Sequence, residues 1–171
     1  QLSIDNLSSF NLNTFLQLAE NPLILILDSI KDPGNLGACI RTANAAGCQL
    51  VIKRKSNSSP ITAAVHKSSC GGTSNIYIYE TNDLNGVVKT LKKQNITVIG
   101  TDHKSKTNYT DINGTKFQGI CIIMGSEDQG ISKSLKLLCD QLVSIPITGS
   151  VECLNISVAC GIMLYEMLKF R

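Results

Sequence analysis

Three short segments of the 171-residue chain gather most of the side chains that can do chemistry. The first is Asp32-Pro-Gly-Asn-Leu-Gly-Ala-Cys-Ile-Arg-Thr42, where two glycines permit tight turning and Asn35 and Arg41 stand six residues apart around a helix start. A guanidinium so placed can grip a phosphate through two parallel N–H groups. The plainer assignment is an Asn35 cap and a solvated Arg41. The second is Gly125-Ser-Glu-Asp-Gln-Gly130. Ile131-Ser132 follows it in place of the Lys-Ser/Thr of a Walker A loop, so nucleoside triphosphate binding has little support. Alone, it is a turn with an acidic cap. The third is Ile145-Pro-Ile-Thr-Gly-Ser-Val-Glu-Cys-Leu-Asn-Ile-Ser-Val-Ala159, rich in small residues and entering a helix near Asn155. Its plainer assignment is a helix capped locally by Asn155 or Cys153.

Other chemistry is weaker. His66 and Cys70 have a possible zinc-ligand spacing, but two further ligands would have to come from scattered thiols, so no metal is expected. Cys153 as a nucleophile lacks a histidine nearby in sequence. Lys53-Arg54-Lys55, Lys92-Lys93 and Lys104/Lys106 are basic clusters able to meet phosphates, the first being the one expected to do so.

The elements that must position these segments follow from hydrophobic patterning. Leu23 to Leu27 is a continuous apolar run of strand length, and Pro33-Gly34 separates it from a helix beginning near Asn35. Strands are predicted at 49–52, 76–79, 97–101, 120–124 and 142–145. Helices are predicted at 61–67, 83–93, 133–138 and 155–170. Leu84, Val87, Val88 and Leu91 recur at i, i+3, i+4 and i+7. The run 120–124 is apolar on both faces, as a central parallel strand covered by helices must be. Strands alternating with helices specify an α/β fold with a mostly parallel sheet, whose ligands bind beyond the carboxyl ends of the strands. No G-x-G-x-x-G follows the first strand, which counts against a dinucleotide site. Residues 1–20 read as a lead-in helix, with Leu12, Phe15, Leu16 and Ala19 at helical spacing, or as the tail of a linker; 21–171 read as one domain.

Composition agrees with a soluble globular domain: 43% hydrophobic and 17% charged residues. No apolar run approaches the roughly 18 residues of a membrane span. The net charge of +3 permits an RNA partner without demanding one. Seven cysteines, odd in number and without a C-x-x-C pair, suggest reduced and mostly buried thiols in a cytoplasmic protein. Asn-x-Ser/Thr triplets such as Asn95-Ile-Thr97 and Asn108-Tyr-Thr110 are of the kind an Asn-rich chain produces by chance.

Taken together, the three segments resemble the three motifs of the SpoU-type (TrmH-like) RNA 2′-O-ribose methyltransferases of the SPOUT superfamily, from about residue 21 to 171. The patterns N-x-x-A-x-x-R-[ST]-A, G-x-E-x-x-G-[IL] and I-P-x-x-G-x-x-x-S-L-N-x-S-x-A match in order, except that Cys153 stands where serine is usual. A thiol is the poorer hydrogen-bonding group, which bears on activity if that position meets the target. Within the family the likeness is to bacterial enzymes that make 2′-O-methylguanosine in large-subunit (23S) rRNA. A tRNA guanosine-2′-O-methyltransferase and a catalytically idle RNA-binding or ribosome-assembly module are the alternatives.

The resemblance implies a deep C-terminal trefoil knot, an exception to the usual rule against threading. It implies S-adenosylmethionine as cofactor, held around Gly125, Ile145 and Leu154 with Thr101 nearby, and RNA as substrate. It also implies a homodimer in which Arg41 serves the other subunit's cofactor, and an N-terminal RNA-recognition domain that this chain, beginning at Gln1, lacks. Arg41 is the family's catalytic residue, Asn35 and Asn155 would orient it or the ribose, and Glu127 would help fix the second loop and the subunit contact. Because a guanidinium holds its proton, stabilising an alkoxide and clamping a phosphate suit Arg41 better than acting as base.

Overall fold

The computed structural model describes residues 11–114 and 116–171. Part of the expected lead-in, residues 1–10, lies outside them. In chain order the elements are α1 (Leu12–Leu18), β1 (Leu23–Asp28), α2 (Pro33–Ala45), β2 (Leu50–Arg54), α3 (Ala63–Ser69), β3 (Tyr77–Thr81), α4 (Leu84–Lys93), β4 (Thr97–Thr101), β5 (Ile120–Gly125), α5 (Lys133–Lys136), β6 (Gln141–Val143) and α6 (Ile156–Met167). Among the described residues, all six strands form one parallel sheet in the order β3-β2-β1-β5-β4-β6. The expected α/β class and parallel sheet are observed. No helix among the described residues is long and apolar enough to cross a membrane.

The central pair β1 and β5 explains why both runs are apolar throughout. Side chains alternate across a strand, so Leu23, Leu25 and Leu27 enter one layer with α2 and α6, while Ile24 and Ile26 enter the other with α1 and α4. Each strand is buried along its whole length. Removing one such side chain to alanine costs about 2–5 kcal/mol. The α4 stripe Leu84, Val87, Val88 and Leu91 is buried as its spacing predicts.

Several boundaries move, for local reasons. Helix α2 starts at Pro33, and Asp32, not Asn35, caps it by accepting from the Asn35 amide at 2.6 Å. Proline suits the first helical position because its missing N–H would have had no helical partner. Helix α3 begins at Ala63 after Thr62 and ends at Cys70 in the left-handed region. Strand β3 runs two residues beyond Tyr79, to Thr81, paired with Arg54 of β2. Helix α5 is a single turn, β6 ends at Val143, and α6 begins after Asn155 and tightens into a 3-10 turn at Leu168–Phe170.

Most of the thiols are withdrawn from solvent, as expected. Cys39, Cys48, Cys121 and Cys160 are buried and Cys139 is half-buried, whereas Cys70 and Cys153 are exposed. Burial pushes Cys48 up to about 12 and Cys139 up to about 11.

Candidate active site

Beyond the carboxyl ends of β4, β5 and β6 lies a cavity of about 530 Å³. Its walls come from Thr101 and Asp102 after β4, from the whole Gly125–Gly130 loop after β5, and from Ile145, Cys153 and Leu154 in the segment leading to α6. Thr101, Gly125, Ile145 and Leu154, four positions singled out from sequence, all line it.

Each wall has a local cause. Gly125 is required by close approach: a Cβ there would meet the Gly130 carbonyl carbon at 1.9 Å. The loop closes on itself through Gly130 N–H donating to the Ser126 carbonyl at 2.8 Å. Thr101 Oγ1 donates to the Ile123 carbonyl at 3.3 Å, pinning the β4 end to β5. Burial alone would raise the Asp102 carboxyl. The Lys136 ammonium at 2.7 Å, with the Lys104 amide, instead holds it below the ordinary carboxylate range.

Glu127 connects all three segments. Its Oε1 accepts from Asn35 Nδ2 at 3.2 Å and from the Ile156 amide at 3.1 Å. Asn35 Oδ1 accepts from Asn155 Nδ2 at 3.0 Å. Asn155 Oδ1 in turn accepts from the Ser157 amide at 2.9 Å, capping α6. Asn35 can reach across because Asp32 does the capping of α2. Capping of α6 falls to Asn155, so Cys153 is a wall residue of the cavity rather than a cap.

Arg41 stands apart. It lies outside the cavity lining, is exposed on α2, and donates from Nη1 to Cys70 Sγ at 3.3 Å. Gly72 lets the following turn approach, since a Cβ there would sit 3.2 Å from the Arg41 Cα.

The expectation that Lys53-Arg54-Lys55 meets phosphates needs correction. Lys53 is fully buried and bonds Glu80 at 2.6 Å, and Arg54 Nε bonds Asp28 at 2.8 Å, which leaves Lys55 exposed. Alternation along β2 turns Lys53 inward, where only a carboxylate partner makes its charge tolerable. Lys92 is likewise committed, to Asp140 at 2.7 Å, whereas Lys104 and Lys106 are exposed. His66 Nδ1 sits 2.7 Å from Thr73 Oγ1. Sequence reasoning passed over Asp28 and Asp102. The available signal was a carboxylate at the end of an apolar strand, where burial demands a partner.

This parallel sheet, with a cavity walled by the loops after β4, β5 and β6 and tied together by Glu127, is the arrangement of a known class. The chain belongs to the SpoU rRNA Methylase family, whose model matches residues 22–165. It is 41% identical over 168 residues to the 23S rRNA (guanosine-2'-O-)-methyltransferase RlmB of Pasteurella multocida, covering 96% of this chain and 67% of that protein. The RlmB of Haemophilus ducreyi is 41% identical over 165 residues, covering 95% and 66%. The chain thus spans about two thirds of the length of these relatives. Among solved structures, the SpoU methyltransferase AviRb from Streptomyces viridochromogenes in complex with AdoMet superimposes with a TM-score of 0.82 at 26% identity, over 93% of this chain and 64% of that one. The AdoMet-bound rRNA methyltransferase from Sinorhizobium meliloti gives 0.79 at 30% identity, over 86% and 56%.

Proposed function

We propose that the chain transfers a methyl group from S-adenosylmethionine to the ribose 2′-hydroxyl of a guanosine in 23S rRNA, in the cytoplasm. The observation that carries this is the hydrogen-bonded chain from Asn155 through Asn35 to Glu127, which lines the 530 Å³ cavity, in a chain 41% identical to RlmB.

The cavity suits the cofactor. Its size falls in the range of small-molecule sites. Among the described residues, the backbone amides and carbonyls of 145–154 make no hydrogen bonds to other protein groups, so those near Ile145 and Leu154 can pair with a purine edge. Gly125 and Thr101 line the same cavity. S-adenosylmethionine supplies a methyl carried on a sulfonium. The chain's own residues must then align a ribose oxygen with it and lower the cost of losing the hydroxyl proton. A guanidinium does this by stabilising the developing alkoxide and gripping the adjacent phosphate, the role assigned to Arg41. Asn35 and Asn155 orient the ribose, and Glu127 holds both loops in place.

Two finer features belong to the same proposal. The first is a homodimer through α6. Val158 and Tyr165 are 51% and 54% exposed, and with Ile162 they fall at i, i+4 and i+7 on one face. Since Arg41 lies outside the lining of its own chain's cavity, it completes the partner's site. The second is the trefoil knot. It is supported by the segment after β4, which bonds to Ser144, just beyond β6, through Thr107 and Tyr109, and to Phe170, just beyond α6, through Phe117.

The test is methyl incorporation from labelled S-adenosylmethionine into unmodified 23S rRNA and tRNA. Label at a guanosine 2′-oxygen of rRNA, reduced about 10²–10³-fold in Arg41→Ala with cofactor affinity retained, is expected. Label in tRNA alone transfers the assignment to tRNA, and cofactor binding without label in either RNA identifies an idle module.

A further inference from the structure

A line of charge crosses the strand ends and reaches the cavity loop from below. Asp28 ends β1 opposite Gly125 of β5 and is 2% exposed. Its Oδ2 accepts from the Ser132 amide at 3.1 Å, just where the Gly125–Gly130 loop returns to the body of the protein. Its Oδ1 accepts from Arg54 Nε at 2.8 Å and from the Ser29 hydroxyl at 3.1 Å. Arg54 is itself held. Its carbonyl accepts from buried Lys53 Nζ at 3.1 Å, and Lys53 is anchored to Glu80 of β3.

A carboxylate stripped of water is tolerated only when its lone pairs are matched, and an apolar residue at position 28 would simply have extended the strand. The matching here is directional. One oxygen faces Arg54 on the neighbouring strand β2 and the other faces the loop exit. Glu127 ties the middle of the loop to Asn35 and to the Ile156 amide, but Gly130 N–H to the Ser126 carbonyl and Gln129 N–H to Ser126 Oγ are bonds within the loop, so the Ser132 amide is the contact that fixes its exit. Because Gly125 and Gly130 are packed backbone to backbone, a shift at Ser132 is passed directly to the cavity wall and to Glu127.

We propose that Asp28 and Arg54 are positioning residues for the cofactor loop, Arg54 fixing the orientation of Asp28 and Asp28 fixing the loop through the Ser132 amide. This rests on the cavity being the S-adenosylmethionine site. Neither side chain touches the cavity, and neither belongs to the three motifs.

The experiment uses hydrogen-bond polarity. Asp28→Asn puts a single acceptor between two donors, so the contact to Arg54 or to Ser132 must be lost. Adding Arg54→Gln supplies a carbonyl that can take the new amide N–H, which frees the asparagine oxygen for Ser132. Calorimetric affinity for S-adenosylmethionine and amide hydrogen exchange are measured for the wild type, both single variants and the double variant. Expected are a loss of about tenfold in affinity for Asp28→Asn, since one hydrogen bond to a charged group is worth roughly that factor, and recovery of most of it in the double variant. Exchange at 126–132 should quicken in Asp28→Asn and slow again in the double variant, while the amides of β2 and β3 stay protected throughout. Unchanged affinity and loop exchange in Asp28→Asn, or a double variant no better than the single one, would overturn the proposal. If Asp28→Asn does not fold, Arg54→Gln and the double variant carry the comparison. If the wild type itself fails to bind the cofactor, the cofactor reading falls, and the exchange measurements still decide whether Asp28 holds the loop.

Discussion

Glu127 Oε1 accepts two donors from separate elements, the side chain of Asn35 on α2 and the backbone of Ile156 on α6. That geometry sets what its loss should do. Glu127→Ala strands the Ile156 amide and releases Asn35, so we expect a stability loss of about 1 kcal/mol in urea unfolding. Methyl transfer should fall more steeply than that figure alone implies, because three loops lose their common tie. Asn35, Arg41 and Asn155 were legible in sequence as polar residues at fixed spacing around helix starts. Their pairing was not: whether Asn35 caps α2 or reaches to Asn155 depends on Asp32 taking the cap, a choice made only when the loop folds.

At the scale of elements, the ends of β1 and β5 govern the cavity. Gly125→Ala drives a methyl group into the backbone of Gly130. It should cost about 1–3 kcal/mol as an overpacking change and abolish measurable cofactor binding, checked by thermal unfolding and calorimetry. Asp28 gives a pH signature. Burial would raise its carboxyl, but the Arg54 hydrogen bond, the Ser132 amide and the Arg54 charge outweigh that and hold it below 3.8. A group whose value is depressed in the folded state contributes stability that is complete above its unfolded value and fades as pH falls through the folded one. Denaturant unfolding at acid pH should therefore show Asp28→Asn with a flatter decline below about pH 4 than the wild type. The strands were readable because apolar runs on both faces have few alternatives to a central parallel sheet. The basic run 53–55 was misread, because charge on a strand looks exposed until alternation and a partner strand show which side chains turn inward.

For the molecule as a whole, α6 has one face in the core through Cys160, Met163, Leu164 and Met167, and another that presents Val158 and Tyr165 to solvent. If that second face joins two subunits, Tyr165→Lys should convert a dimer into a monomer by light scattering. Each chain should then keep cofactor affinity and lose methyl transfer, because Arg41 would no longer reach a neighbouring cavity. A dimer that persists with full activity in that variant would count against the shared site.

The sequence by itself determined the class of fold, the order of the strands along the chain and the three polar segments, because periodicity, turn chemistry and residue type are local properties. It also carried the family through those segments. Only the tertiary structure decided which strands are neighbours, that Glu127 is the shared acceptor, that Lys53 and Arg54 serve carboxylates rather than phosphates, and that Arg41 stands away from its own cavity. Those outcomes depend on contacts between residues up to 120 positions apart, as in Asn35 to Asn155. Such contacts are settled by burial and by matching of donors to acceptors across the assembled sheet, and no local pattern records them.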